Sequence, residues 1–217
     1  MTKKALVLLS GGQDSVTCLA QALGENDVVE ALGINYGQRH LVELQQAQMI
    51  ADAVGVKYSL VDSTVFTRFT HNSLTDLDME IDDGDELPNT FVPGRNALFL
   101  NIAGIYAYQR DIRRIYIGVC EADYSGYPDC RENFVQSMQE SLSLAMDTQF
   151  EIRTPLMHLS KAETVVKMKE LGHLDLLALS HTCYEGDRPA CGKCPACILR
   201  LNGFEEAGLT DPLAYRS

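Results

Sequence analysis

The sequence predicts an α/β fold, a doubly wound and mostly parallel sheet, followed by a C-terminal helical segment organised around cysteines. Three observations carry this reading. Apolar runs of strand length alternate with longer stretches of helical period between residues 5 and 171. The first run ends in paired glycines and passes at once into a helix. Beyond residue 180, four cysteines fall within fifteen positions.

The first strand is Ala5-Leu6-Val7-Leu8-Leu9, and Ser10-Gly11-Gly12-Gln13-Asp14-Ser15 follows it directly. Glycine lets backbone N–H groups turn toward one point, and a helix N-terminus adds unpaired donors and a positive dipole end. This arrangement grips an anion. It is neither the mononucleotide loop, because no lysine follows the glycines, nor the dinucleotide G-x-G-x-x-G fingerprint. The string resembles the SGGxDS loop of the ATP-pyrophosphatase (PP-loop) family. That resemblance implies an adenine-nucleotide α-hydrolase-like fold, with ATP cut between its α- and β-phosphates. The plain alternative is a Gly-Gly turn with no ligand.

Val28 to Ile34 reads as the second strand, ending at Asn35-Tyr36-Gly37. Leu41 to Val54 has helical period and stops at Gly55. Lys57 to Val61 is the third strand, and residues 64–93 are irregular and acidic. Arg95 to Tyr108 is apolar almost throughout and reads as a buried helix; Arg114 to Val119 is the fourth strand. Glu132 to Met146 is helical, and Ile152 to Thr154 is a short fifth strand stopped by Pro155. Ser160-Lys161-Ala162-Glu163 is a capping box that opens a helix to Leu171. Ligands on parallel sheets bind at the carboxyl ends of the strands. Four polar clusters stand there: 10–15, 35–40, 94–96 and 120–131.

The last segment differs in kind. Cys183, Cys191, Cys194 and Cys197 are spaced C-x7-C-x2-C-x2-C, which suits one tetrahedral zinc per chain. Four protein ligands close such a site, so the zinc is expected to hold structure, fixing a last helix from Ala196 to Ala207. A redox pair or an iron–sulfur cluster is the alternative. Cys18 and Cys120 read as packing thiols. The chain thus divides into an α/β domain over 1–180 and a zinc-binding segment over 181–217 packed on it.

Composition narrows the partners. The 217 residues carry a net charge of −12, and seven of the 30 acids lie between Asp76 and Glu86. That segment reads as a solvated loop, or as a lid over the site. Without those seven, 23 acids still outnumber 18 bases. A protein that grips a nucleic-acid backbone needs clustered Lys and Arg, so a small-molecule substrate is expected and no nucleic acid. No apolar run approaches the roughly 20 residues of a membrane span, and no signal peptide is recognisable. A cytoplasmic protein with no membrane partner is expected.

From Gly118 to Arg131 the sequence is polar, aromatic and turn-rich. Asp123 or Asp129 can accept the paired N–H donors of a guanine-like edge, Tyr124 or Tyr127 can cover a ring face, and Arg131 can balance a carboxylate. The other reading is a surface loop whose aspartates cap the next helix. Five strings in order then resemble the QueC family of queuosine-precursor biosynthesis: SGGQDS; Asn35-Tyr36-Gly37-Gln38-Arg39-His40; Asn89-Thr90-Phe91-Val92-Pro93-Gly94-Arg95-Asn96; the stretch Asp123 to Arg131; and Thr182-Cys183-Tyr184 with the Cys191–Cys197 knuckle. The likeness spans nearly the whole chain. Asn35 departs from it, since an acidic residue is expected there, and the acidic insert matches weakly.

The resemblance implies ATP-dependent conversion of 7-carboxy-7-deazaguanine and ammonia into 7-cyano-7-deazaguanine by a homodimer, with Mg2+ accompanying ATP. It implies that Ser10, Asp14, Ser15, Arg95 and Lys161 act in catalysis. Main chain from Leu9 through Ser10, Gly11, Gly12, Gln13, Asp14, Ser15, Val16, Thr17, Cys18 and Leu19 is expected to line the ATP site, together with Tyr36, Gln38, Arg39 and His40. Arg95, Asn96, Asp123, Tyr124, Ser125, Tyr127, Asp129 and Arg131 are expected at the deazaguanine substrate. A PP-loop enzyme that adenylates a tRNA base, an amidotransferase synthetase and a zinc-stabilised nucleotide sensor are the alternatives.

Overall fold

Five parallel strands form one sheet in the order β3-β2-β1-β4-β5: β1 Lys4–Leu8, β2 Val28–Asn35, β3 Lys57–Asp62, β4 Arg114–Tyr116 and β5 Glu151–Arg153. The computed structural model describes residues 2–39, 41–70, 72–76, 78–79, 88–121, 126–186 and 188–216. Six α-helices accompany the strands: α1 Gln13–Glu25, α2 Val42–Ala53, α3 Arg95–Tyr108, α4 Glu132–Ala145, α5 Lys161–Glu170 and α6 Pro195–Glu206.

The side-chain alternation of β1 sets the two layers. Ala5, Val7 and Leu9 face a core shared with α1, α2, α5 and Phe204 of α6. Leu6 and Leu8 face the other core, built with α3 and α4. Both faces of a parallel sheet are thus covered, as its continuous apolar strands require. The central strand, β1, pairs with β2 on one side and β4 on the other. Strand order reverses there, and a crevice opens above its carboxyl ends.

Most elements fall where the sequence places them. The fourth strand is an exception. Expected to reach Val119, it ends at Tyr116; only the Ile117 N–H continues toward β5, donating to the Arg153 carbonyl at 3.0 Å. Gly118 then swings against α1, where a Cβ would sit 2.9 Å from the Asp14 carbonyl carbon. Ile117 and Val119 stay buried without the ladder, because they pack in the core shared with α3 and α4. Helix α3 is also less enclosed than expected, with Ile105 and Tyr108 exposed. Short 3-10 turns at Thr64–Arg68, Pro128–Cys130 and Leu174–Ala178 occupy stretches where the sequence shows no element. The capping box at Ser160 is complete: its side chain accepts from the Glu163 N–H at 3.2 Å, and the Glu163 carboxylate accepts from the Ser160 N–H at 2.8 Å.

Candidate active site

The crevice narrows to a cavity of about 270 Å³ that is continuous with a wider cleft of about 660 Å³. Residues of all four polar clusters line it, including Ser10, Gln13 and Asp14, Tyr36 and Gln38, Arg95 and Asn96, and Cys130. Such a volume suits a small organic ligand.

The Gly-rich loop is held from three sides. Gly11 has φ +92°, a left-handed conformation that side chains rarely adopt. A Cβ on it would stand 2.3 Å from the Glu43 carbonyl oxygen of α2. The Gly11 carbonyl accepts from the His181 N–H at 2.8 Å, so the start of the cysteine segment ties down the loop. Ser15 knits the inside: its hydroxyl donates to the Gly12 carbonyl at 2.9 Å and accepts from the Ser10 N–H at 3.3 Å. Helix α1 starts at Gly12 with no side-chain cap. The first turn of α1 is therefore not closed by a side chain of its own N-cap residue.

Lys161 and Asp14 meet across the loop. The Lys161 ammonium lies 2.9 and 3.1 Å from the two Asp14 carboxylate oxygens. Their sequence separation is 147 residues, and α5 and α6 carry the lysine there. A Cβ on Gly203 of α6 would come within 2.9 Å of Lys161 Cγ, so the missing side chain lets the lysine stem cross the helix.

Opposite stands a cluster from α3, α2 and the segment after β2. Arg95 opens α3, and its guanidinium carbon is 5.8 Å from the centroid of the Tyr36 ring, which tilts against Phe99 at 5.4 Å. Glu43 completes the cluster; burial pushes its carboxyl up to about 7, opposed by the Arg95 charge. Burial likewise raises the Tyr36 phenol. Glu43 was not legible as a site residue. Its only signal is an acidic side chain in the first turn of the helix that follows the Tyr36 segment.

Several expected residues take other places. Val16, Thr17, Cys18 and Leu19 turn their side chains into the core and are not in the cavity wall, because α1 carries them beneath the sheet face. Gly11 too supports the loop from behind. Asp129 faces α3: its Oδ2 accepts the Asn96 N–H at 3.1 Å, and its carbonyl accepts from Asn96 Nδ2 at 3.0 Å. It caps the preceding helix, not the following one. Tyr127 reaches the wider cleft and shares a 2.5 Å hydrogen bond with Thr90. Arg131 is exposed at the start of α4 and does not line the cavity. Gln38 accepts the Tyr36 N–H at 3.1 Å, and Arg39 Nη1 donates to the Met79 carbonyl at 3.4 Å. His40, Asp123, Tyr124 and Ser125, and most of the acidic segment, lie outside the described residues.

Asn35 makes local bonds, accepting the Gly37 N–H at 3.1 Å. Thr182 lines the cavity with a buried hydroxyl that has no hydrogen-bond partner among the described residues. Cys130 also lines it, but burial and the Asp129 charge push its thiol up to about 12, so it stays protonated.

Beyond the loop, the sulfurs of Cys183, Cys191, Cys194 and Cys197 all lie within 4.8 Å of one another. The Lys193 and Cys194 N–H groups point at Cys191 Sγ, at 3.4 and 3.3 Å. Such N–H···S turns favour thiolate, and four buried sulfurs this close together fit a zinc ion.

The whole chain can now be compared with known proteins. The family model described as queuosine biosynthesis protein QueC matches residues 4–208. The chain belongs to the QueC family. A relative named 7-cyano-7-deazaguanine synthase, from Chromobacterium violaceum, is 50% identical over 99% of this chain and 94% of its own. A second protein of that name, from Laribacter hongkongensis, is 49% identical over 98% and 94%. Among solved structures, a 4-thiouridine synthetase–RNA complex with bound ATP is 18% identical with a TM-score of 0.53, over 94% of this chain and 53% of that one. The latter likeness is one of fold.

Proposed function

We propose that this QueC chain is an ATP-dependent C–N ligase that converts 7-carboxy-7-deazaguanine and ammonia into 7-cyano-7-deazaguanine, in queuosine biosynthesis. Half of its residues are identical to those of a named synthase over almost the full length of both, and that observation carries the reading. The chemistry needs two activations. A carboxylate oxygen is a poor leaving group, so AMP is transferred to it and pyrophosphate departs. Ammonia displaces AMP to give the amide. A second ATP adenylates the amide oxygen, and loss of AMP leaves the nitrile.

Positioning and charge neutralisation do most of this work. The Ser10–Ser15 loop and the α1 N-terminus receive the pyrophosphate. Lys161, steered by Asp14, meets the charge that grows on the phosphates. Arg95 and Asn96 face the substrate carboxylate, and Tyr127 borders the base. Asp129 serves the base through Asn96 and α3. Tyr36, Gln38 and Arg39 border the adenosine. Mg2+ entering with ATP would offset the phosphate charge. Cys183, Cys191, Cys194 and Cys197 would hold a zinc ion, which would anchor the segment that ties down Gly11. A cytoplasmic homodimer without nucleic acid completes the proposal.

The test is direct. Purified protein is incubated with ATP, ammonium and 7-carboxy-7-deazaguanine, and pyrophosphate and product mass are measured. The nitrile mass is expected. Pyrophosphate release with tRNA but not with the deazaguanine acid would overturn the reading.

A further inference from the structure

Glu43 combines four properties found together in no other described acid of the site. It lines both the narrow cavity and the wider cleft. Its helix start is wedged against Gly11, which fixes it relative to the phosphate loop. Its neighbours in the narrow cavity are largely apolar, among them Leu32, Ile34, Leu44 and Phe99. Among the described residues its carboxylate has no hydrogen-bond partner. Asp14, by contrast, is held by Lys161.

The reaction has protons to dispose of, and this rests on the synthase reading above. When ammonia attacks the acyl-adenylate, a C–N bond forms, the C–O bond to AMP breaks with its electron pair leaving on the phosphate, and nitrogen sheds one proton. In the second activation, nitrogen sheds one proton as the amide oxygen takes AMP. It sheds its last proton as the C–O bond breaks and C≡N forms. We propose that the Glu43 carboxylate accepts these protons from the substrate nitrogen, and releases each to solvent through the cleft. Its geometry fits: it lines the same cavity as the phosphate loop and Arg95. A burial-raised carboxyl near 7 is matched to that task, since a large share of it is carboxylate in neutral solution and that carboxylate is basic enough to take a proton. Among the described residues, the ionisable groups that line the narrow cavity with it are Arg95 of α3, Tyr36 after β2, Asp14 of α1 and the Cys130 thiol, and those of the wider cleft include Arg39, Tyr127, Lys161 and His181. His40 lies outside the described residues.

The experiment separates adenylation from nitrogen chemistry. ATP–pyrophosphate exchange dependent on the deazaguanine acid reads the first; nitrile formation from ammonia reads the second. Glu43→Gln is expected to keep exchange within about threefold and to lose nitrile formation by about a hundredfold or more. In the wild-type enzyme at fixed free ammonia, nitrile formation is expected to fall tenfold per pH unit below about 7. Glu43→Gln is expected to abolish that fall. Loss of exchange in equal proportion would overturn the proposal, as would unchanged nitrile formation. A flat wild-type profile would do so whether or not the variant folds. Absence of exchange in the wild-type enzyme would strike the synthase reading itself; exchange without the Glu43 signature strikes only this proposal.

Discussion

Arg200 is the largest fully buried side chain among the described residues, and it makes four hydrogen bonds there. Its fork donates to Asp211 at 2.7 and 2.8 Å, to the Ser180 hydroxyl at 2.6 Å and to the Leu177 carbonyl at 2.9 Å. Asp211→Ala leaves that guanidinium buried without its counter-charge. The expected cost is about 3–5 kcal/mol, read from urea unfolding. Asp14→Ala is expected to abolish pyrophosphate release while the circular dichroism spectrum stays unchanged. For Glu43 the sign is worked out from its raised carboxyl. Between its ordinary value of 4.5 and about 7 the folded state binds the proton that the unfolded chain releases. Stability therefore falls as pH rises through that window, and the loss is complete above it. Glu43→Gln is expected to raise Tm at pH above 7 and to lose that advantage near 4.5. Sequence alone could flag Asp14, because a six-residue string carries it. It could not flag Glu43, whose role comes from a cavity that α2 shares with α3.

Among elements, α5 and α6 connect the cysteine segment to the chemistry. The Lys161 stem lies on Gly203, and Lys161 faces Asp14. Gly203→Leu is expected to reduce pyrophosphate release as far as Lys161→Met does, with the metal content unchanged. Chelation of the proposed zinc is expected to free the loop at His181, read as new proteolysis between residues 181 and 197 together with lost activity. The local signals of these elements were legible. A capping box completes its bonds within four residues, so Ser160 and Glu163 disclose the start of α5. The end of the fourth strand was not, because Ile117 and Val119 are buried by the α3 and α4 core and not by continued pairing along the sheet. Nor was the exposure of Arg131: nothing in a polar loop tells which of its charges faces inward.

At the scale of the whole molecule, 30 acids against 18 bases work against nucleic-acid binding. Filter binding of tRNA at about 0.1 M salt is expected to show no retention, since backbone contacts depend on clustered cations. The two-layer architecture and the place of the site at strand carboxyl ends were legible from alternation and punctuation. The pairing of Lys161 with Asp14 was not, because it depends on how two distant helices pack. One feature also bears on how such a molecule can change over generations. At Gly11, two separate obstacles forbid a side chain: the backbone angle and the Glu43 carbonyl. A shift of α2 relieves the second and leaves the first; a relaxed backbone does the reverse. No single substitution opens both, so a side chain at Gly11 requires the loop and α2 to move together.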